Sequence, residues 1–163
     1  MAQILYHGYS PAFTFAAAST SLPLFAFTNI DANCGCQLKK YRIGLGGTGN
    51  ASVTLQIATT NVAATAAGTS TAGTIVQDLG RVITNTGSFN VCNYNYTGAR
   101  TTETYNVVDT YQVANNVTII YEYPGGDEPD QGIGVATFGS GFFVFFSAGT
   151  TVSTTVDMWL SRI

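Results

Sequence analysis

One apolar run limits the fold of this chain more than any other feature. Residues 142–146 are Phe, Phe, Val, Phe and Phe without a polar interruption, and such a short unbroken run is typical of a β-strand buried on both faces. After a turn at 147–149, residues 152–160 alternate between apolar and polar types, which predicts a half-buried return strand. The sequence therefore predicts a core hairpin over 141–163. A sandwich covers one face of its first strand, and the second face is left for the N-terminal segment or a neighbouring subunit.

Strand patterns recur along the rest of the chain. Residues 38–45 alternate, a glycine-rich turn follows at 46–50, and residues 53–57 alternate again, which predicts a second hairpin. Further strand patterns occur at 74–84, 88–96, 105–108, 116–123 and 135–138, whereas the Ala- and Thr-rich segment 58–73 predicts a loop. Eight or nine short strands with no convincing helix indicate an all-β, single-domain β-sandwich. A jelly roll is the commonest eight-stranded version.

The N-terminal segment differs in composition from the remainder. Residues 1–36 contain no Lys or Arg, and Asp31 is their only charged residue. The alternating pair Phe13 and Phe15 predicts a short strand within an otherwise extended arm. We therefore divide the chain into an arm at 1–36, which packs on its own domain or on a neighbour, and a β-sandwich at 37–163.

The charge content excludes several classes of partner. Charged residues make up 9% of the chain, against about a quarter in a typical soluble protein, and a surface so poor in charge favours a homo-oligomer. The net charge is −3, and no basic run extends beyond Lys39, Lys40 and Arg42, so direct nucleic-acid binding is not expected. No apolar segment reaches the length of a membrane span, and no secretory signal is expected at the N-terminus.

Catalytic and cofactor motifs are weak. His7 is the only histidine, so a triad, a two-histidine metal site or a histidine-assisted cysteine would each have to be built around this one residue. The spacing at 44–49 fits G-x-G-x-x-G, but a second strand pattern follows where a dinucleotide site needs a helix. We expect no enzyme activity and no cofactor. For Cys34, Cys36 and Cys92 we favour free buried thiols, with a bridge from Cys92 to one of the other two as the alternative.

Three acidic residues share one predicted turn, at Asp127, Glu128 and Asp130. Clustered oxygen ligands on a loop can bind calcium, but the spacing is not that of a known calcium loop and Pro129 restricts the turn. We therefore keep these residues only as weak metal candidates and favour a solvated loop.

Two further sets of residues are candidates for binding. Aromatic side chains in the arm and the C-terminal strands predict a protein interface at Phe13, Phe15, Phe143, Phe145 and Trp159. A Tyr- and Asn-rich patch predicts either a protein contact, which we favour, or a glycan contact. Its members are Tyr94, Tyr96, Arg100 and Tyr105.

The alternating segments 41–45 and 52–57 around their glycine turn, together with the low charge and the apolar arm, resemble small all-β virion structural proteins of bacteriophages, of the capsid decoration, minor capsid or tail type. The resemblance implies a subunit made in the host cytoplasm and incorporated into the virion. Its partners would be copies of itself and other virion proteins, and it would act by stabilising the particle. A glycan-binding receptor module of a phage tail or adhesin is the alternative function.

Overall fold

The structure, a computed structural model, describes residues 5–15, 22–28, 36–47, 53–60, 68–77, 82–83, 92–98, 104–114, 116–123, 133–135, 141–147 and 152–162. The described residues form strands and connecting turns, with no helix among them. The strands are β1 (Leu5–Tyr9), β2 (Phe13–Phe15), β3 (Phe25–Thr28), β4 (Cys36–Gly46), β5 (Val53–Thr60), β6 (Thr71–Ala72), β7 (Thr74–Gln77), β8 (Val82–Ile83), β9 (Cys92–Tyr94), β10 (Asn106–Val113), β11 (Val117–Glu122), β12 (Ile133–Val135), β13 (Gly141–Ser147) and β14 (Val152–Arg162).

These strands form two antiparallel sheets, which confirms the predicted all-β fold as a β-sandwich. The front sheet has the order β11-β4-β14-β1-β7-β8, with β12 also paired to β4 and β2 to β14. The back sheet has the order β10-β5-β13-β3-β9-β6. Within the described residues, β11 and β10 are therefore the outermost strands at one end of their respective sheets.

The longer pairings are nested along the chain. β1 pairs with β14, β3 with β13, β4 with β11, and β5 with β10. Early strands thus pair with late ones, and most contacts join residues far apart in sequence. Several connections cross from one layer to the other: β3 and β5 lie in the back sheet, whereas β4 lies in the front sheet, and likewise β13 lies in the back sheet and β14 in the front sheet.

The core between the sheets follows the predicted alternation. Tyr41, Ile43 and Leu45 of β4 are buried, as are Leu55 and Ile57 of β5. They belong to one large cluster that includes apolar residues of both sheets. Period-two patterning thus identified the inward face of both strands correctly, because a strand buried on one side must place alternate residues there.

The strand predicted to be buried on both faces is buried on both faces. Phe142 and Val144 of β13 belong to the large cluster between the sheets. Phe143 and Phe145 point to the opposite side and join a second cluster on the outer face of the back sheet. The other buried members of that cluster are Ala26, Ala58 and Tyr96, with Tyr105 partly buried against it.

The strands of both predicted hairpins are present, but the prediction that they pair with each other is wrong. β13 pairs with β3 and β5, whereas β14 pairs with β1, β2 and β4. Likewise β4 lies in the front sheet and β5 in the back sheet. Each pair faces across the core instead of sharing a hydrogen-bond ladder. Apolar alternation is the same for two strands paired side by side and for two strands that face each other across the core. The pattern therefore distinguishes these arrangements only where a tight two-residue turn fixes the pairing.

The predicted N-terminal arm is not confirmed. β1 lies between β14 and β7 in the front sheet, and β3 lies between β13 and β9 in the back sheet. The short strand predicted at Phe13 and Phe15 is present as β2. The described parts of 5–28 are therefore built into the sandwich.

Candidate functional site

The outer face of the front sheet brings together an unusual group of side chains. Trp159 of β14 lies opposite His7 of β1 and opposite Lys40 of β4, and Asp157 lies opposite Arg42. Residues in register on adjacent strands point to the same side of a sheet. In a chain with few charged residues, this face therefore holds the only tryptophan, the only histidine, two cations and a carboxylate.

A β-bulge in β4 makes this face possible. The register between β4 and β14 shifts between Trp159 and Leu160, so that Lys40 pairs with Trp159 and Leu38 with Leu160. Leu38 belongs to the core, whereas Lys40 lies over the outer face. Two residues separated by one would normally face the same side of a strand, and the extra residue, Lys39, allows them to face opposite sides.

Asp157 links His7 and Arg42. Its Oδ1 lies 3.0 Å from Nε2 of His7, and its Oδ2 accepts a hydrogen bond from Nε of Arg42 at 3.0 Å. Since a carboxylate can only accept, His7 donates from Nε2. The Asp157 side chain is 9% exposed, so both of its oxygens are satisfied in a largely desolvated position, as buried polar groups usually are. Asp157 thereby fixes the orientation of both donors.

The indole of Trp159 is flanked on both sides. The His7 ring stacks on it with centroids 4.4 Å apart and planes at 4°. From the β4 side, Lys40 Nζ and Arg42 Cζ lie 5.5 and 5.9 Å from the indole centroid. These are cation–π distances. Because both neighbours occupy its faces, the indole is not an open platform on which a sugar ring could stack.

A groove of about 720 Å³ opens beside Asp157 and Arg42. This volume falls within the range of small-molecule sites, about 300–1,000 Å³. The end of β1 and the turn after it line one side, and β11 lines the other. The lining residues are His7, Tyr9, Ser10, Pro11, Ala12, Arg42, Gly44, Thr118, Ile120, Thr155 and Asp157.

Gly44 forms part of the floor of this groove. It lies opposite Thr118 on β11 and opposite Thr155 on β14. A Cβ atom at Gly44 would lie 2.7 Å from Oγ1 of Thr155 and 3.9 Å from Oγ1 of Thr118. The Thr155 hydroxyl therefore lies over Gly44, and a side chain at this position would collide with it.

The side chains in and around the groove supply polar and apolar contacts. Ser10 Oγ accepts a hydrogen bond from the Val156 amide at 3.0 Å, and within the part of the chain that the structure describes no serine, threonine or cysteine is hydrogen-bonded to His7. The same described residues contain no group of three His, Cys, Asp or Glu that could hold a metal ion. What the groove offers is a half-exposed guanidinium, several hydroxyl groups and a small apolar wall.

A second polar cluster closes the sandwich at the end where β10 and β11 lie. Tyr41 and Tyr123 of the front sheet both donate to Oδ2 of Asp109 in the back sheet, at 3.1 and 3.0 Å. Tyr41 is also hydrogen-bonded to the hydroxyl of Tyr111. Burial raises the pKa of all three tyrosines above the ordinary value, and the hydrogen-bonded Asp109 raises the pKa of Tyr123 further. This cluster joins the two sheets by hydrogen bonds.

A second bulge places Asp109 in that cluster. The register between β10 and β5 shifts between Val107 and Asp109. Val107 lies opposite Ala58, a member of the outer cluster, whereas Asp109 lies opposite Ile57 of the core. The intervening residue, Val108, reverses the facing of the strand.

The predicted interface residues occupy several environments. The chain itself buries Phe15, Phe143 and Phe145, and Phe13 is half-buried with its ring 4.8 Å from that of Tyr94. Trp159 is half-buried within the group described above. An interface through the three buried phenylalanines would have to form over the residues that now cover them.

The predicted Tyr-rich patch is mainly involved in packing. Tyr96 is buried, and Tyr105 packs edge-on against Phe143 and Phe145 with centroids 5.0 and 4.6 Å apart. The patch residue Arg100 lies outside the described residues, as do Cys34 and the weak metal candidates Asp127, Glu128 and Asp130.

The two described cysteines have no disulfide. Cys36 and Cys92 are buried free thiols, and burial raises the pKa of Cys92. A raised pKa keeps the thiol protonated and unreactive. This agrees with the favoured prediction for these two residues.

The sequence reasoning missed Arg42 and Asp157 as a pair and set His7 aside. Their contacts depend on the register of three strands that are distant in the chain. The available signal was the position of charged residues inside alternating strands of a charge-poor protein.

Comparison with known proteins gives no relative: no family model matches the sequence, and no curated protein matches it. In the part of the chain that the structure describes, no helix is both long enough and apolar enough to cross a membrane.

Proposed function

We propose that this chain is a structural subunit of a bacteriophage particle, a capsid decoration or minor capsid protein that associates with copies of itself and with other virion proteins. The observation that carries the proposal is exposed apolar surface on the outermost strands of both sheets. Val107 and Val108 on β10 are 51% and 40% exposed, and Ile120 and Tyr121 on β11 are 61% and 37% exposed. Val107 lies on the outer face of the back sheet, whereas Ile120 lies on the outer face of the front sheet. The proposed contact is formed by Val107 and Val108, which we call the edge strip.

The edge strip continues an apolar row that is otherwise covered. Ala26, Phe143 and Ala58 lie in register on three neighbouring strands of the back sheet, and Val107 is the next residue in that row. The first three are buried, whereas Val107 is half-exposed. A second protein seated along β10 would extend the cover over the end of this row and bury apolar area that now faces water.

The nested pairing supports a jelly roll as the finer description of the sandwich. Among the eight longer strands named in that pairing, the first pairs with the last and the second with the second from last. The remaining pairs, β4–β11 and β5–β10, continue the series inward. Two sheets rolled up in this way are the arrangement used in viral capsid domains.

The distribution of charge supports protein partners. On the outer face of the front sheet, Arg42 forms an ion pair with Asp157, and Lys40 forms one with Glu122 at 3.4 Å. Nucleic-acid binding needs clusters of unpaired cations, and the net charge is −3. We therefore propose a location in the protein shell of the virion without direct contact to the genome or a membrane.

Two experiments test the proposal. Sedimentation velocity of the purified chain should show concentration-dependent association, and immunogold electron microscopy with an antibody to this chain should label virus particles released from its host. A chain that stays monomeric at high concentration, together with particles that carry no label, would contradict the proposal.

One observation supports the alternative, a glycan-binding receptor module, and it lies away from the tyrosine patch that the sequence predicted. That observation is the groove between β1 and β11, with hydroxyl groups and a guanidinium along its length. The predicted tyrosine patch contributes little, because its described members are largely packed within the chain.

A further inference from the structure

We infer that the groove on the front sheet binds an acidic saccharide, with its carboxylate on Arg42 and its ring over Gly44. This inference goes beyond the proposed structural role and rests on the glycan-binding alternative. It is carried by three independent features of the groove, namely its anion contact, its floor and its walls.

The anion contact is a guanidinium with one side free. Arg42 uses Nε for Asp157, and its side chain is 51% exposed. Among the described residues, the remaining contact of Arg42 is the indole of Trp159. None of the described residues accepts a hydrogen bond from its two terminal nitrogens. A guanidinium binds a carboxylate through two parallel hydrogen bonds from such nitrogens.

Asp157 acts as a positioning residue for this contact. It holds Arg42 through one oxygen and His7 through the other, so both donors are oriented before a ligand arrives. Pre-orientation lowers the entropic cost of binding. Because both carboxylate oxygens are already hydrogen-bonded, the negative charge of Asp157 is balanced within the site.

The floor fits a ring that carries hydroxyl groups. Gly44 has no side chain, and the hydroxyl groups of Thr155 and Thr118 lie opposite it on the two neighbouring strands. These groups, with Tyr9 on the side of β1, can both donate and accept hydrogen bonds, as the hydroxyl groups of a sugar require.

The walls supply the apolar contact that a sugar ring also needs. Ile120 is the most exposed large apolar side chain described, at 61%, and it lines the groove. Pro11 and Ala12 line the opposite side and are exposed. The C–H face of a pyranose ring can lie against such a wall.

A saccharide fits this groove better than a peptide does. Extended peptides bind by adding backbone hydrogen bonds to a free sheet edge. Here the groove lies across the face of the front sheet, over β4 and β14, each of which is already paired on both sides. The groups left for a ligand are side-chain hydroxyls and one guanidinium.

The test uses isothermal titration calorimetry with a galacturonic acid tetramer as the probe, a neutral glucose tetramer as the matched sugar, and a tetraglutamate peptide as the matched acid. The variants are Arg42→Gln and Gly44→Val, with Lys40→Gln as a control that removes the same charge outside the lining of the groove. Circular dichroism establishes that each variant is folded. If Gly44→Val does not fold, Gly44→Ser replaces it.

We expect saturable binding of the galacturonic acid tetramer and weaker binding of both other probes. Losing a charge-assisted hydrogen-bond pair should lower affinity roughly 10- to 100-fold in Arg42→Gln. Gly44→Val should also lose affinity because its side chain fills the floor, and Lys40→Gln should remain close to wild type.

Three results would overturn the inference: no binding of the acidic tetramer, equal or tighter binding of tetraglutamate, or unchanged affinity in both groove variants. Sedimentation velocity on the same samples measures self-association separately, so the test of sugar binding can be distinguished from the test of the proposed structural role. Failure of sugar binding leaves association through the edge strip intact, and variants of Val107 and Val108 leave the groove intact.

Discussion

His7 and Trp159 stack in parallel on the outer face of the front sheet, with ring centroids 4.4 Å apart and planes at 4°. They are the only histidine and the only tryptophan of the sequence, and they come from the first and the last of the described strands. The stack joins the two ends of the chain through β1 and β14. Asp157, two residues before Trp159, adds a hydrogen bond to the same histidine.

The bridging carboxylate should contribute measurably to stability. Asp157→Ala removes the acceptor of both His7 and Arg42, and we expect the free energy of unfolding to fall by about 2 kcal/mol, as for hydrogen bonds to charged groups. Urea denaturation measures this directly. Glu122→Ala is the matched control, because its ion pair with Lys40 is exposed and worth less than about 1 kcal/mol. Equal losses in the two variants would show that Asp157 has no special role.

The outer cluster of the back sheet should be part of the folded core. Phe143→Ala empties a fully buried site beside Tyr105, and we expect a loss of about 3–5 kcal/mol. Phe143→Asp should prevent folding, because it would bury an unpaired charge. Val107→Ala, at the exposed end of the same row, should cost under about 1 kcal/mol. A small effect of Phe143→Ala in urea denaturation would mean that the cluster is open in solution.

Gly141 should not tolerate a side chain. A Cβ atom there would clash with the carbonyl oxygen of Phe27 on the paired strand β3, a backbone atom that can move only if the two strands separate. Gly141→Ala should therefore lose at least about 2 kcal/mol of unfolding free energy.

Gly46→Ala is the control for that substitution. The nearest atoms to a Cβ atom at Gly46 are 3.8 Å away, an ordinary contact distance. We expect a change within about 0.5 kcal/mol. Thermal melts compare the two variants directly. If Gly141→Ala were as stable as Gly46→Ala, the pairing of β13 with β3 would be wrong.

The tyrosine cluster should make the fold sensitive to high pH. The pKa values of Tyr41, Tyr111 and Tyr123 are raised in the folded state, chiefly by burial, so the folded chain keeps protons that the unfolded chain releases. The contribution of these tyrosines to the free energy of unfolding is then fully present below about pH 10, which is the pKa of tyrosine in the unfolded chain. It falls above that pH by about 1.4 kcal/mol per pH unit for each retained proton.

Replacing Tyr123 tests this pH dependence. Tyr123→Phe removes one of the raised groups, so its unfolding free energy should decline less steeply above pH 10 than that of wild type. Urea denaturation at a series of alkaline pH values gives both slopes. Identical slopes would show that Tyr123 is not held protonated by the fold.

The apolar pattern of the sequence was sufficient to predict which residues of β4 and β5 face the core, and that residues 142–145 are buried on both faces of their strand. It failed where pairing partners mattered. The segments of both predicted hairpins lie in opposite sheets, and a strand facing another across a core has the same apolar pattern as one paired beside it.

The residues of the candidate site were harder to predict. Asp109 reaches the tyrosine cluster because Val108 forms a bulge. Since β10 has polar residues on both faces, its sequence does not show which face points inward. The contact of His7 with Asp157 depends on the register of the first strand with the last. Local sequence carries no information about either register, so a motif search could not find this group.

The central claim is that the edge strip mediates self-association. The most direct test is sedimentation velocity over a series of concentrations, comparing wild type with the double variant Val107→Lys and Val108→Lys. Thr71→Lys is the control, because Thr71 is exposed on β6 at the other end of the back sheet. We expect wild type and Thr71→Lys to form the same oligomer and the double variant to stay monomeric while retaining its fold. A monomeric wild type, or a double variant that associates as wild type does, would contradict the claim.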